Sequence, residues 1–197
     1  STDMGVDIAS MGVQVHGGMG FMSETLAAQL YRDARIAPIY EGTNGIQAID
    51  LVGRKLALSG GASMRDMLTE IDETVRLARS TNDPQFVQLA ERLWAASKAL
   101  AEATDWMLAR LKAEEQDKAL AGATLYLGLA GDVIGGHFLA RAALAARSRE
   151  ADFRARQMAL AGFFAETVLA TVPGRVPGIT EGGDRFLANS KALFGID

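Results

Sequence analysis

The sequence predicts an all-α fold, and three observations carry that prediction. Apolar residues make up 49% of the 197, with alanine and leucine prominent, and both lose little conformational freedom in a helix. Only four prolines interrupt the chain. Apolar positions recur at steps of three and four along most of its length, which is the period of helices buried on one side.

The elements follow in order. Residues 3–15 place Met4, Ile8, Met11 and Val15 at helical spacing, and Gly17 and Gly18 predict the stop. A second helix is expected from about Ser23 or Glu24 through Leu26 and Leu30 to the charged Tyr31-Arg32-Asp33-Ala34-Arg35. Residues 36–40, short and interrupted by Pro38, read as an extended connector. Thr43 is placed to cap a third helix through Ile46, Ile49, Leu51 and Leu56. The small, flexible run Ser59-Gly60-Gly61-Ala62-Ser63 predicts a boundary between a first region, residues 1–58, and a second, residues 63–197.

Four longer helical patterns follow that boundary. The first covers residues 64–79. Asn82-Asp83-Pro84 then announces a helix with Asp83 as cap, continuing through Phe86, Ala90, Leu93, Ser97, Leu100, Thr104, Met107 and Leu111. A third pattern spans 118–147 through Leu120, Thr124, Leu127, Ile134, Phe138 and Leu144, and a fourth spans 152–171 through Phe153, Leu160, Phe164 and Val168. Four amphipathic helices with short connections predict an antiparallel bundle. Gly128, Gly131, Gly135 and Gly136 suit close helix packing, and the methionines, Trp94 and Trp106 read as core residues. Residues 172–183 are expected to be irregular, with a short helix near 185–193 docking at the end.

Composition narrows the function classes. A net charge of -4 gives no pull toward nucleic acid or an anionic membrane. No cysteine is present, so disulfides and thiolate metal sites are excluded, and a reducing, cytoplasmic location is expected. No apolar run reads as long enough to span a membrane, and no signal peptide opens the chain. The start at Ser1-Thr2-Asp3, with a dense motif soon after, suggests that further sequence lies upstream.

The chemistry-bearing segment is Tyr40-Glu41-Gly42-Thr43-Asn44-Gly45-Ile46-Gln47. Glu41 precedes a glycine and a helix start, where backbone N–H groups lack helical partners and a carboxylate is favoured. Gly42 lets another molecule approach the backbone. Such a turn can offer one substrate both a base and hydrogen-bond donors; it also reads as a solvated carboxylate that merely favours the helix. Arg32, Asp33 and Arg35 read as charges pairing locally at a helix end, and His16 as a turn residue. His137, the only other histidine, leaves a metal site unsupported.

Taken with Tyr31-Arg32-Asp33-Ala34-Arg35-Ile36 and Gln14-Val15-His16-Gly17-Gly18-Met19-Gly20-Phe21, this motif closely resembles the C-terminal helical domain of the acyl-CoA dehydrogenase family. The match spans about residues 3–58, and the later bundle is similar to the C-terminal extension of longer members. The resemblance implies a partial C-terminal helical domain followed by that extension. It also implies an FAD-dependent flavoprotein of fatty-acid metabolism, taking an acyl-CoA thioester to the trans-2-enoyl-CoA. Glu41 matches the base, in a desolvated site, that removes the α-proton while hydride passes from the β-carbon to the flavin N5. Its backbone N–H would bond the thioester carbonyl, stabilising the developing charge. Gly42 falls at a substrate contact. Thr43, Asn44 and Gly45 fall where the family binds FAD, and Gln14, Val15, His16, Gly17 and Gly18 where it contacts the FAD of a neighbouring subunit. Many relatives have Glu or Gln where Gly45 stands, which removes one side-chain contact. A homo-oligomer is expected, with an electron-transfer flavoprotein as a possible partner, and the isolated chain is expected to be inactive. The alternative is a non-catalytic helical interaction or oligomerisation module in which the motif is a passenger.

Overall fold

A computed structural model of the chain describes residues 2–195. It is all-α, with no strand among the described residues. Two compact units divide it, one ending at Gln47 and the other beginning at Ala48. This division falls short of residue 58 because Ala48, Val52 and Leu56 are buried in the core of the second unit.

The first unit contains α1 (Thr2–Val15), the one-turn α2 (Gly18–Phe21), a 3₁₀ turn at Ser23–Thr25, α3 (Ala27–Ala34) and the start of α4 (Asn44–Asp50). Helix α1 ends where the glycines predict. It turns Val6 and its neighbours Ala9 and Val13 inward, and α3 packs against it. The stripe of Met4, Ile8, Met11 and Val15 lies on the other side and is open, Val15 being 86% exposed. Helix α3 starts later than the sequence suggests. Leu26 takes a left-handed conformation at φ 61, and no side chain caps the helix. Residues 36–40 are turned rather than extended: Ile39 and Tyr40 both donate backbone N–H groups to the carbonyl of Ile36. Pro38 is compatible with that turn, since its φ suits one and it needs no acceptor.

The second unit is built on α6 (Pro84–Lys112), 29 residues long, capped by Asp83, whose carboxylate accepts from the N–H of Gln85 at 2.9 Å. Every predicted inward position from Phe86 to Met107 is buried. Helix α5 (Ala62–Ser80), α8 (Ala123–Ala145) and α9 (Ala151–Thr167) pack against α6. Before α5, residues Leu51–Leu56 widen α4 into a π turn.

Several sequence expectations are corrected here. The pattern over 118–147 is two helices, α7 (Gln116–Ala121) and α8, broken at Gly122. A Cβ on Gly122 would lie 3.0 Å from the Ile179 carbonyl oxygen and from Met107, so any side chain there would force this crowded corner to shift. The buried face of α8 is Ala123, Tyr126, Leu129, Ala130, Val133, Gly136, His137, Ala140 and Ala143, not the expected face through Thr124 and Phe138. Helix α8 is apolar nearly all round, so periodicity does not identify its inner side. In α9, Ala161 and Ala165 are buried while Phe153 and Leu160 face outward. Trp94 stays 42% exposed with the Arg79 guanidinium over its ring, and Met4, Met11, Met19 and Met22 are exposed as well.

Residues 172–183 are ordered turns and short helices: a 3₁₀ turn at Pro173–Arg175, then α10 (Val176–Thr180) and the start of α11 (Gly182–Ala188), with α12 (Ser190–Phe194) following. Val172, Val176 and Ile179 are buried there, and Arg175 pairs with Asp132 of α8 at 2.5 Å. One segment bears on the expectation that no apolar run spans a membrane, and by length and composition alone it is weak evidence, since a buried core helix meets the same measure. Residues Ala123–Ser148 meet that measure by length and composition, although α8 packs within the helical core.

Two expected outcomes follow from the packing. A Cβ on Gly136 would lie 2.7 Å from buried Leu169, whereas one on Gly131 meets nothing within 4 Å. Gly131→Ala is therefore expected to stabilise the chain by about 0.5–1 kcal/mol. Gly136→Ala is expected to destabilise it by about 1–3 kcal/mol, and urea midpoints of the two variants check this ordering. His137 is buried with no hydrogen-bond partner for either ring nitrogen. Burial lowers its pKa below the usual histidine value, with Arg141 adding to the effect and Glu70 opposing it. The unfolded chain then binds the proton more readily, so stability is full above about pH 6.5 and falls as pH drops through that value. Urea midpoints between pH 8 and pH 5 are expected to fall, and to fall less in His137→Met.

Candidate active site

The motif turn lies wholly in the first unit. After α3 the chain turns through residues 35–40, reverses at Glu41 and Gly42, and enters α4 at Asn44. Glu41 has φ 56 and Gly42 has φ 90, so two successive residues lie in the left-handed region. Glycine adopts that region freely, whereas a residue with a Cβ is strained there. A backbone bond from Asn44 N–H to the Pro38 carbonyl, 3.2 Å, spans the reversal.

The turn presents its groups outward. Tyr40, Glu41, Gly42 and Thr43 are exposed, and Asn44 and Gly45 are partly so. No described residue accepts a hydrogen bond from the backbone N–H of Glu41, Gly42 or Thr43. One carboxylate and a run of unengaged donors therefore share one surface. The desolvated setting implied for Glu41 is not supplied by the first unit itself, where its side chain is in solvent. Thr43 stands just before α4 and accepts from the Ile46 N–H at 3.4 Å, a long and weak cap.

The other candidate residues are placed as follows. The Asn44 amide is engaged within the unit, with both its oxygen and its nitrogen bonded to the Thr2 hydroxyl at 3.0 and 2.8 Å. That bond ties the start of α1 to the start of α4, and Thr2 had no signal in the sequence. Gln14, Val15, His16, Gly17 and Gly18 run, exposed, from the last turn of α1 through the bend to the first residue of α2. Thirteen residue steps along a helix are about 20 Å, so this cluster is not brought to the Glu41 turn. Gly20 is held for packing: a Cβ there would come within 2.9 Å of His16 Cβ. The expected pairing among Arg32, Asp33 and Arg35 is not formed: Arg32 donates to the Gln29 amide oxygen at 2.6 Å and the Gln29 amide nitrogen donates to Asp33 at 2.7 Å.

The fit to a flavin is testable on backbone space. A Cβ on Gly17 or Gly18 would meet nothing within 4 Å, and one on Gly45 only the Thr43 hydroxyl at 3.8 Å. The backbone at these points is open to a large planar or phosphate-bearing group. The side chain of Asn44 is less free, being held by Thr2. Among the described residues no cluster of three His, Asp or Glu side chains suits a metal ion.

The fold is all-helical, and comparison with known proteins defines the family. Residues 67–189 match the family model described as acetyl-CoA dehydrogenase C-terminal like, and residues 1–57 match that of the acyl-CoA dehydrogenase C-terminal domain. The chain is 40% identical over 195 residues to a 3-methylmercaptopropionyl-CoA dehydrogenase of Ruegeria pomeroyi, covering 96% of this chain and 33% of that protein. It is 30% identical over 172 residues to a broad-specificity linear acyl-CoA dehydrogenase of Mycobacterium tuberculosis, covering 80% of this chain and 28% of that protein. A butyryl-CoA dehydrogenase of Syntrophomonas wolfei is 33% identical over 99 residues, half of this chain and 16% of that protein. The chain belongs to the acyl-CoA dehydrogenase family and corresponds to its C-terminal part. It spans about a third of the length of the Ruegeria pomeroyi relative.

Proposed function

We propose that this chain is the C-terminal portion of an FAD-dependent acyl-CoA dehydrogenase and that Glu41 removes the α-proton of an acyl-CoA thioester. The observation that carries the reading is the Glu41 turn, where an outward carboxylate stands beside backbone N–H groups that engage no described residue. An α-proton next to a thioester is weakly acidic, so a base needs the carbonyl polarised as the proton leaves. The Glu41 N–H serves as that donor, and its value rises where water is excluded. Gly42 keeps the approach to the turn clear of a side chain.

Flavin, when bound, would supply the oxidant that accepts the β-hydrogen as hydride. Thr43 and Gly45 would hold it in the same protomer, with Asn44 acting through its backbone because its side chain bonds Thr2. Gln14, Val15, His16, Gly17 and Gly18, at the bend between α1 and α2, would meet the flavin of a second protomer, which makes the working protein a homo-oligomer. Electrons would pass on to an electron-transfer flavoprotein, and the location proposed is cytoplasmic.

Helix α1 supports the need for more protein around the turn. It buries one side against α3 and leaves Met4, Ile8, Met11 and Val15 open on the other. A helix apolar on both sides normally sits between partners. The exposed Leu160 and Phe163 on α9 favour a second role, subunit association, for the second unit.

The test uses the complete flavin-loaded parent. Glu41→Gln is expected to lower turnover at least about 10³-fold with flavin content and acyl-CoA binding retained. Near-normal turnover would leave only the interaction-module reading. The chain by itself is expected to form no enoyl-CoA, and detectable product would overturn that part.

A further inference from the structure

We infer that Gln47 is a positioning residue that clamps the Glu41 turn, an inference that rests on Glu41 being the base. Glu41 at φ 56 and Gly42 at φ 90 are consecutive left-handed residues. Glycine pays nothing for such a conformation, but the Cβ of Glu41 crowds its own backbone there. A glutamate left to itself would relax toward an ordinary φ, and its carboxylate would swing away.

Backbone bonding does not hold this point. No described residue accepts from the N–H of Glu41 or of Gly42, and the Pro38 to Asn44 bond spans the turn without touching Glu41. The link that does touch it comes from a side chain. The Gln47 amide nitrogen donates to the Glu41 carbonyl oxygen at 2.8 Å. Gln47 is itself fixed in the first turn of α4, its N–H donating to the Thr43 carbonyl at 2.9 Å. Its amide also sits beneath Gly42, 3.5 Å from where a Cβ would project.

The consequence is geometric. The Glu41 carbonyl lies in the same peptide plane as the Gly42 N–H, and that plane begins at the Glu41 Cα. Holding the carbonyl orients the plane, and with it one donor of the turn and the root of the carboxylate. Proton transfer depends steeply on such alignment, whereas binding of the long CoA ligand does not. Loss of the clamp is therefore expected in kcat and not in KM.

The experiment compares three variants of the complete flavin-loaded parent. Gln47→Met keeps the length and removes the donor; Gln47→Lys keeps a donor on a chain of similar reach; Glu41→Gln reports on the base itself. The expected result is a loss of about tenfold in kcat for Gln47→Met with KM and flavin content near wild type. Gln47→Lys is expected to stay within about threefold of wild type. Wild-type kcat in Gln47→Met, equal losses in Gln47→Met and Gln47→Lys, or loss of flavin from either would each overturn the clamp. Retained turnover in Glu41→Gln would instead overturn the reading on which the clamp rests.

Discussion

The second unit depends on one helix that buries apolar surface along nearly its whole length. Helix α6 is 29 residues, about 43 Å, and carries Phe86, Leu89, Leu93, Leu100, Ala103 and Met107 inward. Helices α5, α8, α9 and α10 find their partner on it, so their positions follow from its faces. Its polar core residues are satisfied locally. The Thr104 hydroxyl meets that of Tyr126 on α8 at 2.8 Å and also bonds the Leu100 carbonyl at 2.7 Å. That pairing avoids the cost of burying two bare hydroxyls and sets the register of α8 against α6. Ile179 and Gly122 then close over Met107, which is why the glycine-rich C-terminal stretch folds into ordered turns.

The first unit is organised by the opposite condition. Few of its residues are buried, and most of its large apolar side chains, from Met4 to Ile46, face outward. It holds its shape with small devices: the close approach at Gly20, the Thr2–Asn44 bond and the Gln47 clamp. A strained carboxylate on a turn with unengaged donors is costly to maintain, and such strain is concentrated at functional sites. The open side of α1, with Met4, Ile8, Met11 and Val15 exposed, is a second unsatisfied surface of the same unit.

Legibility in the sequence followed the physics of each element. Helices α5 and α6 were readable because each has a one-sided apolar stripe, and Asp83-Pro84 marks a start that few other structures tolerate. Helix α8 concealed its inner face because it is apolar on all sides, and the turns of residues 172–180 concealed themselves because proline and glycine also mark loops. At the site, Glu41 was legible as part of a motif, but its left-handed backbone was not, since glutamate carries no turn signal. The Thr2–Asn44 bond joins residues 42 apart, a tertiary contact that local pattern cannot reveal. Gln47 was visible as a residue of the motif, while its bond to the Glu41 carbonyl depends on the reversal between them.

The proposed role of Glu41 is to take a proton from the carbon next to a thioester. The most direct measurement is incorporation of solvent deuterium at the α-carbon of a bound acyl-CoA, followed by mass spectrometry under anaerobic conditions in the complete flavin-loaded parent. α-Exchange is expected in the wild-type protein, and its loss is expected in Glu41→Gln with flavin still bound. Exchange continuing at the wild-type rate in Glu41→Gln would place the base elsewhere and contradict it.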